Sequence, residues 1–339
     1  MNIYMYDHVP NFGDALNRYI WPHYLGRLLE HEDDILMLGI GTILGQKLAH
    51  TGRYIVCGSG CGYGAHLEGA KDGRWTFYFV RGPLTARTFG LPEALAVTDP
   101  AILTPDIFKA ASPSGKTVFV PHWETAHNPL WRKACELADI DYVDPLGPVS
   151  QVCAAISGAR LVITEAMHGA ILADSYRVPW LPVTTSGRIN RFKWMDWLLS
   201  MNIHTEFQAL EPLGWSDRFR SIELSPNEPV TRQHEGLSKT PAPNSLSLKR
   251  ALMNSLSSES KNRMKSQLFL KVGPYLDRVS YKLASSHAEK LIARSAKELS
   301  NVGKLSGWLS DEKTYRLKSQ TVRRKILEVN EGLLSQLVA

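Results

Sequence analysis

The 339-residue chain is 44% hydrophobic, enough to fill the cores of two ordinary domains. No run approaches the roughly 20 apolar residues of a membrane helix. The opening MNIYMYDHVP has neither the basic nor the apolar region of a secretory signal, so a cytoplasmic protein is expected.

The net charge of +6 is uneven: residues 206–339 hold 22 Lys and Arg against 14 Asp and Glu, the first 205 hold 17 against 19. A basic tail suits an anionic surface, membrane lipid or nucleic acid, or is simply a set of solvated helix faces. The four cysteines, Cys57, Cys61, Cys135 and Cys153, lack zinc-knuckle spacing. Reduced thiols and no metal site are expected.

Short apolar runs alternate with helical patterns through residue 205. Asn2–Tyr6 reads as a strand, with Asp14 capping a helix to about Leu29. Ile35–Ile40, Arg53–Cys57, Phe77–Val80 and Ala94–Thr98 read as further strands, and Gly82-Pro83 opens a helix with proline in its first turn. A second series follows Ala111-Ser112-Pro113-Ser114-Gly115. Its strands are Thr117–Val120, Tyr142-Val143, Leu161–Thr164 and Trp180–Val183. Its helices are Leu130–Ala138, Pro148–Ile156 ending at Gly158, Ala166–Tyr176 and Phe192–Met201.

This order predicts an α/β protein with two lobes of parallel sheet and a cleft between them. The expected division is an N-terminal lobe over 1–111 and a C-terminal lobe over 112–205. A linker over 206–248 and a basic helical tail over 249–339 follow. Ser225–Ser247 is Pro/Ser/Thr-rich, and the tail breaks at Gly273-Pro274 and near Gly303–Gly307.

Ligands of parallel sheets sit beyond the carboxyl ends of the strands. Asn11-Phe12-Gly13-Asp14, Arg81, Pro121-His122-Trp123, Glu165 and His168-Gly169 all fall there. His168 lies in the first turn of a helix, where backbone N–H groups favour an anion. Gly169 beside it allows a ligand or a second backbone to approach. Arg81, before Gly-Pro, offers a planar fork for carboxylate or phosphate.

The stretch Gly39-Ile40-Gly41-Thr42-Ile43-Leu44-Gly45 misses the dinucleotide spacing by one residue. No acidic residue follows Gly60 and Gly62 at a strand end about 20 residues on, so NAD is not read. Walker, Gly-x-Ser-x-Gly and His-Glu-x-x-His motifs are absent.

Taken together, several segments resemble the polysaccharide pyruvyltransferase family, and within it the branch that places pyruvate ketals on bacterial exopolysaccharides such as succinoglycan. They are Asn11–Asp14, Gly39–Leu44, Val80–Thr85, Thr98–Ala101, Val120–His122, Thr164–Asp174 and Val178–Trp180. The resemblance covers residues 1–205. It implies a two-lobed fold of the glycosyltransferase-B kind, phosphoenolpyruvate as donor, no metal and no cofactor. It places the donor-site arginine on Arg81, the histidine on His168 and a lysine on Lys193. Many members carry an arginine two residues before the histidine; this chain has Ala166.

Phosphoenolpyruvate is a phosphate and a carboxylate on one small frame, so Arg81, Lys193, Asn11, Gly169 and the helix start at His168 are its expected contacts. Ketal formation needs an acid near the enol methylene and a base near a sugar hydroxyl. His168 is the first candidate for acid/base work or phosphate contact. Asp14 and Glu165 are its candidate carboxylate partners, His122 is a fourth, and the proton donor stays open.

The expected acceptor is a saccharide or a lipid-linked oligosaccharide, with no nucleic acid. Basic segments such as Lys261–Lys282 and Lys313–Lys325 are read as a peripheral contact with an anionic membrane, or alternatively as helices returning to the first lobe. Two rivals use the same sequence: a nucleotide-sugar glycosyltransferase of this architecture, and a non-enzymatic protein that docks on membrane or nucleic acid through its tail.

Overall fold

The computed structural model of the protein describes residues 1–6, 9–29, 34–46, 48, 52–62, 73–185, 189–222, 274–279 and 285–338. Its first sheet places β1 (Asn2–Tyr4), β2 (Ile35–Leu38), β4 (Arg53–Cys57) and β6 (Trp75–Phe79) side by side, all parallel. The short β3 (Thr42–Leu44) and β5 (Gly60–Cys61) pair separately beyond them.

The second sheet runs β11 (Gln208–Ala209), β10 (Trp180–Thr184), β9 (Leu161–Thr164), β7 (Thr117–Val120) and β8 (Asp141–Tyr142), also all parallel. Parallel strands covered on both faces read as continuous apolar runs rather than alternations. Val-Ile-rich β4, β7 and β9 are such strands, buried over almost their whole length. Val120 stands opposite Thr164 and Thr164 opposite Pro182, so β7 and β9 finish level, β10 runs two residues further, and all three present their following residues at one rim.

On the first sheet lie α1 (Phe12–Ala15), α2 (Asn17–Leu29), α3 (Pro83–Phe89) and α4 (Thr104–Ile107). On the second lie α5 (Leu130–Ala138), α6 (Val149–Ser157) and α7 (Met167–Ser175), and α8 (Arg191–Ser200) follows β10 in the chain. Every residue of α7 is buried. A helix enclosed on all sides has no solvated face, and its polar residues His168, Asp174 and Ser175 are buried with the rest. It touches β9, β10 and α6 of its own sheet and the 3-10 turn Pro100–Leu103 that follows the first. Helix α8 leaves the second sheet and packs on α3 and β5 of the first.

The structure moves several expected features. Asn11, not Asp14, caps the first helix, and Asp14 lies inside it. Ala94–Thr98 is not a strand: Pro92 starts the 3-10 turn Glu93–Leu95, and only Ala96 bridges to Val80. Past residue 205, β11 joins the second sheet and α9 (Gly214–Ile222) follows, so these positions within the expected linker are structured. Ser225–Ser247 and most of Lys261–Lys282 lie outside the described residues.

The tail helices are held by both sheets. Helix α10 (Ser285–Val302) packs on α5 and buries Ile292, Ala296, Leu299 and Val302. Helix α11 (Glu312–Val338) returns to the first sheet, lies on α2 and β6, and buries Val322, Ile326, Val329 and Leu333. Arg323 there makes a bidentate pair with Asp106 of α4, closest at 2.8 Å. Of the two readings of Lys313–Lys325, the returning helix describes how its buried face is used. All four cysteines are buried and free. No helix among the described residues is long and apolar enough to cross a membrane.

Candidate active site

The chain after β1 turns through Asn11, whose side chain accepts from the Gly13 amide at 3.0 Å and donates to Asp14 Oδ2 at 3.1 Å. Asn17 fixes the neighbouring loop by bonding both the amide and the carbonyl of Ile40, each at 2.8 Å. Gly13 is a true requirement: a Cβ there would stand 1.9 Å from His168 Nδ1. The imidazole of α7 therefore lies directly over the first helix of the other sheet, with Phe12 edge-on to it. Burial pushes the Asp14 carboxyl up, and nearby His168 and Lys193 oppose that shift.

Arg81 follows β6 and is wholly enclosed. Its Nε donates to Asp196 of α8 at 3.2 Å, Nη1 to Thr42 Oγ1 at 2.8 Å and Nη2 to the Cys61 carbonyl at 3.1 Å. Gly60 makes room for the guanidinium, since a Cβ there would lie 2.1 Å from Cζ. Asp196 also accepts from the amides of Leu84 and Thr85 at 2.9 and 3.0 Å and from Thr85 Oγ1 at 2.6 Å. A carboxylate from one unit thus caps the proline-started helix of the other and satisfies N–H groups that Gly82 cannot.

His168 is the second residue of α7, and no side chain caps that helix. Its Nε2 faces Asp99 Oδ2 at 3.7 Å. Lys193, in the first turn of α8, is partly buried; Asn190 accepts from its amide at 3.0 Å. Burial lowers its ammonium to about 8, with Arg81 adding to the shift and Asp14 and Asp99 opposing it. Two acids, a lysine and a histidine, beside an enclosed arginine, therefore meet where α1, α7 and α8 converge.

The remaining expected residues sit differently. Glu165 is buried and bonded by the Thr185 amide and hydroxyl, both at 2.7 Å, and by the His122 amide at 3.2 Å. It ties the ends of β7, β9 and β10 together. His122 lies on the same rim with Glu124 3.8 Å from Nδ1. Gly169 allows close approach of protein: a Cβ would meet Thr164 Oγ1 at 2.4 Å. A separate cavity of 580 Å³ between α5, β8 and α6 is lined by Arg132, Cys135, Tyr142 and Gly158 and by none of these residues. No metal-holding cluster of His, Cys, Asp and Glu occurs among the described residues.

The sequence model of the polysaccharide pyruvyl transferase family matches residues 11–187, more than half of the chain and the span from Asn11 through His168. This chain belongs to the polysaccharide pyruvyl transferase family. It is also similar to the succinoglycan biosynthesis protein ExoV of Rhizobium meliloti (strain 1021), at 36% identity over 240 residues, 67% of this chain and 76% of the relative. The protein is accordingly a transferase acting on polysaccharide.

Within this pyruvyl transferase, sequence reasoning passed over Asp99 and Asp196. Asp99 stood in a quoted motif but at the end of a run misread as a strand. Asp196 is one turn beyond Lys193 on α8, a helical spacing that could have drawn attention to it. Its partner lies 115 residues away in sequence, and no local pattern reports that.

Proposed function

We propose that this protein transfers the pyruvyl group of phosphoenolpyruvate to two hydroxyls of a surface-polysaccharide sugar or its lipid-linked precursor, forming a cyclic ketal. The observation that carries the reading is the convergence of His168, Asp99, Asp14 and Lys193 at the meeting of α1, α7 and α8. Family membership and the name of the succinoglycan relative support it. In this reading the two sheets are lobes of a glycosyltransferase-B-like protein, divided near residue 111, and donor and acceptor enter between them.

Lys193 and the uncapped first turn of α7 receive the phosphate and carboxylate of the donor. Asn11 and Gly13 shape the wall opposite. Arg81 acts from behind, holding the α3–α8 junction and adding positive potential. A proton reaches the enol methylene and gives an oxocarbenium-like carbon. One sugar hydroxyl attacks it with loss of its proton, phosphate leaves with the electrons of its C–O bond to give a second oxocarbenium-like carbon, and the second hydroxyl closes the ring with loss of its own proton. His168 and Asp14 are the groups placed to exchange these protons. Glu165 holds the rim, and the reaction needs no metal or cofactor.

Incubating the purified chain with phosphoenolpyruvate and the producing cell's repeat-unit oligosaccharide tests this. Phosphate release and a ketal adduct by mass spectrometry are expected, with His168→Ala lowering the rate by about 10²–10⁴-fold at unchanged melting temperature. Near-wild-type transfer by that variant, or turnover of a sugar nucleotide in place of phosphoenolpyruvate, overturns the reading.

Membrane contact is proposed on a specific face. The outward side of α11 carries exposed Leu317, Leu327 and Leu334 together with exposed Lys313, Arg316 and Arg324. Leucines flanked by cations on one helix suit the headgroup boundary of an anionic bilayer. Co-sedimentation with phosphatidylglycerol vesicles that falls with salt is expected; equal binding to neutral vesicles refutes it.

A further inference from the structure

His168 on α7 and Asp99, which caps the 3-10 turn Pro100–Leu103 packed against that helix, meet across the junction of the two sheets. The side chains are 7% and 0% exposed, and His168 Nε2 and Asp99 Oδ2 have no hydrogen-bond partner among the described residues. Asp99 is not simply unsatisfied, because Oδ1 accepts from the Ala101 amide at 3.0 Å. Only the oxygen turned toward the imidazole is left over. An orphaned buried oxygen is costly, and such atoms persist where function needs them. The 3.7 Å separation is just beyond a hydrogen bond, and a small ring rotation closes it.

The other face of the ring is equally specific. Nδ1 lies over Gly13, where any side chain would collide with it. Of the other candidate carboxylates, Glu165 is taken up by Thr185 and His122, and Asp14, though near His168, turns Oδ2 to Asn11.

We propose that Asp99 is the positioning residue of His168: Nε2–H donates to Asp99 Oδ2, and Nδ1 is the nitrogen that works on substrate. A carboxylate behind an imidazole fixes the tautomer and favours the imidazolium that forms during proton transfer. The missing side chain at position 13 gives the ring room to lie in this orientation against the first helix. The assignment rests on His168 serving proton transfer or phosphate contact in the reaction proposed above.

Asp99→Asn in the full chain tests it. The variant keeps the Oδ1 cap on Ala101 but removes the acceptor facing Nε2. Its kcat is expected to fall about 10²–10⁴-fold while KM for phosphoenolpyruvate stays within about threefold. Nitrogen-15 NMR of the histidine rings, with His168→Gln locating the signal, is expected to show Nε2–H in the wild type and a changed tautomer in Asp99→Asn. A kcat within about threefold of wild type overturns the assignment. So does an unchanged His168 spectrum. If the wild type does not turn over phosphoenolpyruvate, the functional reading falls. The NMR comparison then decides the pairing alone, a changed tautomer supporting it and an unchanged one refuting it.

Discussion

Removing either half of the Arg81–Asp196 pair should unfold the protein before it disables the chemistry. Both side chains are fully enclosed, with Nε and Oδ2 3.2 Å apart. Arg81→Met leaves a buried carboxylate whose remaining donors are the Leu84 and Thr85 amides and the Thr85 hydroxyl. It also strips the partners from Thr42 Oγ1 and the Cys61 carbonyl. Breaking one side of a buried pair costs about 3–5 kcal/mol. At about 2 °C per kcal/mol for a chain of this size, the melting temperature should fall by about 6–10 °C.

Asp196→Leu should cost as much, since it strands the guanidinium and uncaps α3. The double variant should be less damaged than the sum of the singles, because no uncompensated charge remains. Arg81→Lys, which keeps the charge but not the fork, should fall between. Thermal unfolding followed by circular dichroism measures all four. If Arg81→Met melts within about 2 °C of wild type, the pair is not a structural tie.

Three further outcomes follow from the geometry. Gly13→Ala should displace the His168 ring, reduce kcat by at least about 10²-fold and cost about 1–3 kcal/mol of stability by overpacking; full activity would show that the ring does not need its seat. Burial holds Lys193 near 8, so its charge is lost as pH rises through 8. The kcat/KM for phosphoenolpyruvate should decline above that pH, and Lys193→Met should abolish the decline. The stability effect has the opposite sign: the unfolded lysine keeps its proton to about 10.4, so the penalty on the charged form is present below pH 8 and relieved between 8 and 10.4. Ile326→Ala on α11 should cost about 2–5 kcal/mol in chemical denaturation although it lies in the tail; a cost near zero would mean α11 is not part of the first sheet's core.

The tail also changes how a truncation should be read. Deleting residues 240–339 would expose the apolar surfaces that α10 and α11 cover on both sheets. Loss of activity in that variant would report unfolding, not a role in catalysis.

The alternation of apolar runs and helical patterns was enough to determine two parallel sheets, because buried strands and their crossover helices leave local periodicities. Thr117–Val120, Leu130–Ala138 and Leu161–Thr164 fall where the pattern put them. Strand-end logic also brought Asp14 and His168 forward, since parallel sheets present their carboxyl ends together. The partner of each group was not legible. Asp99 for His168, Asp196 for Arg81 and the first sheet for α11 are joined by packing between segments far apart in the chain, and local sequence carries no record of that. Glu165 and Gly169 show the same limit from the other side. Both stand beside His168 in sequence, yet tertiary structure turns one to hold three strand ends and the other to receive Thr164.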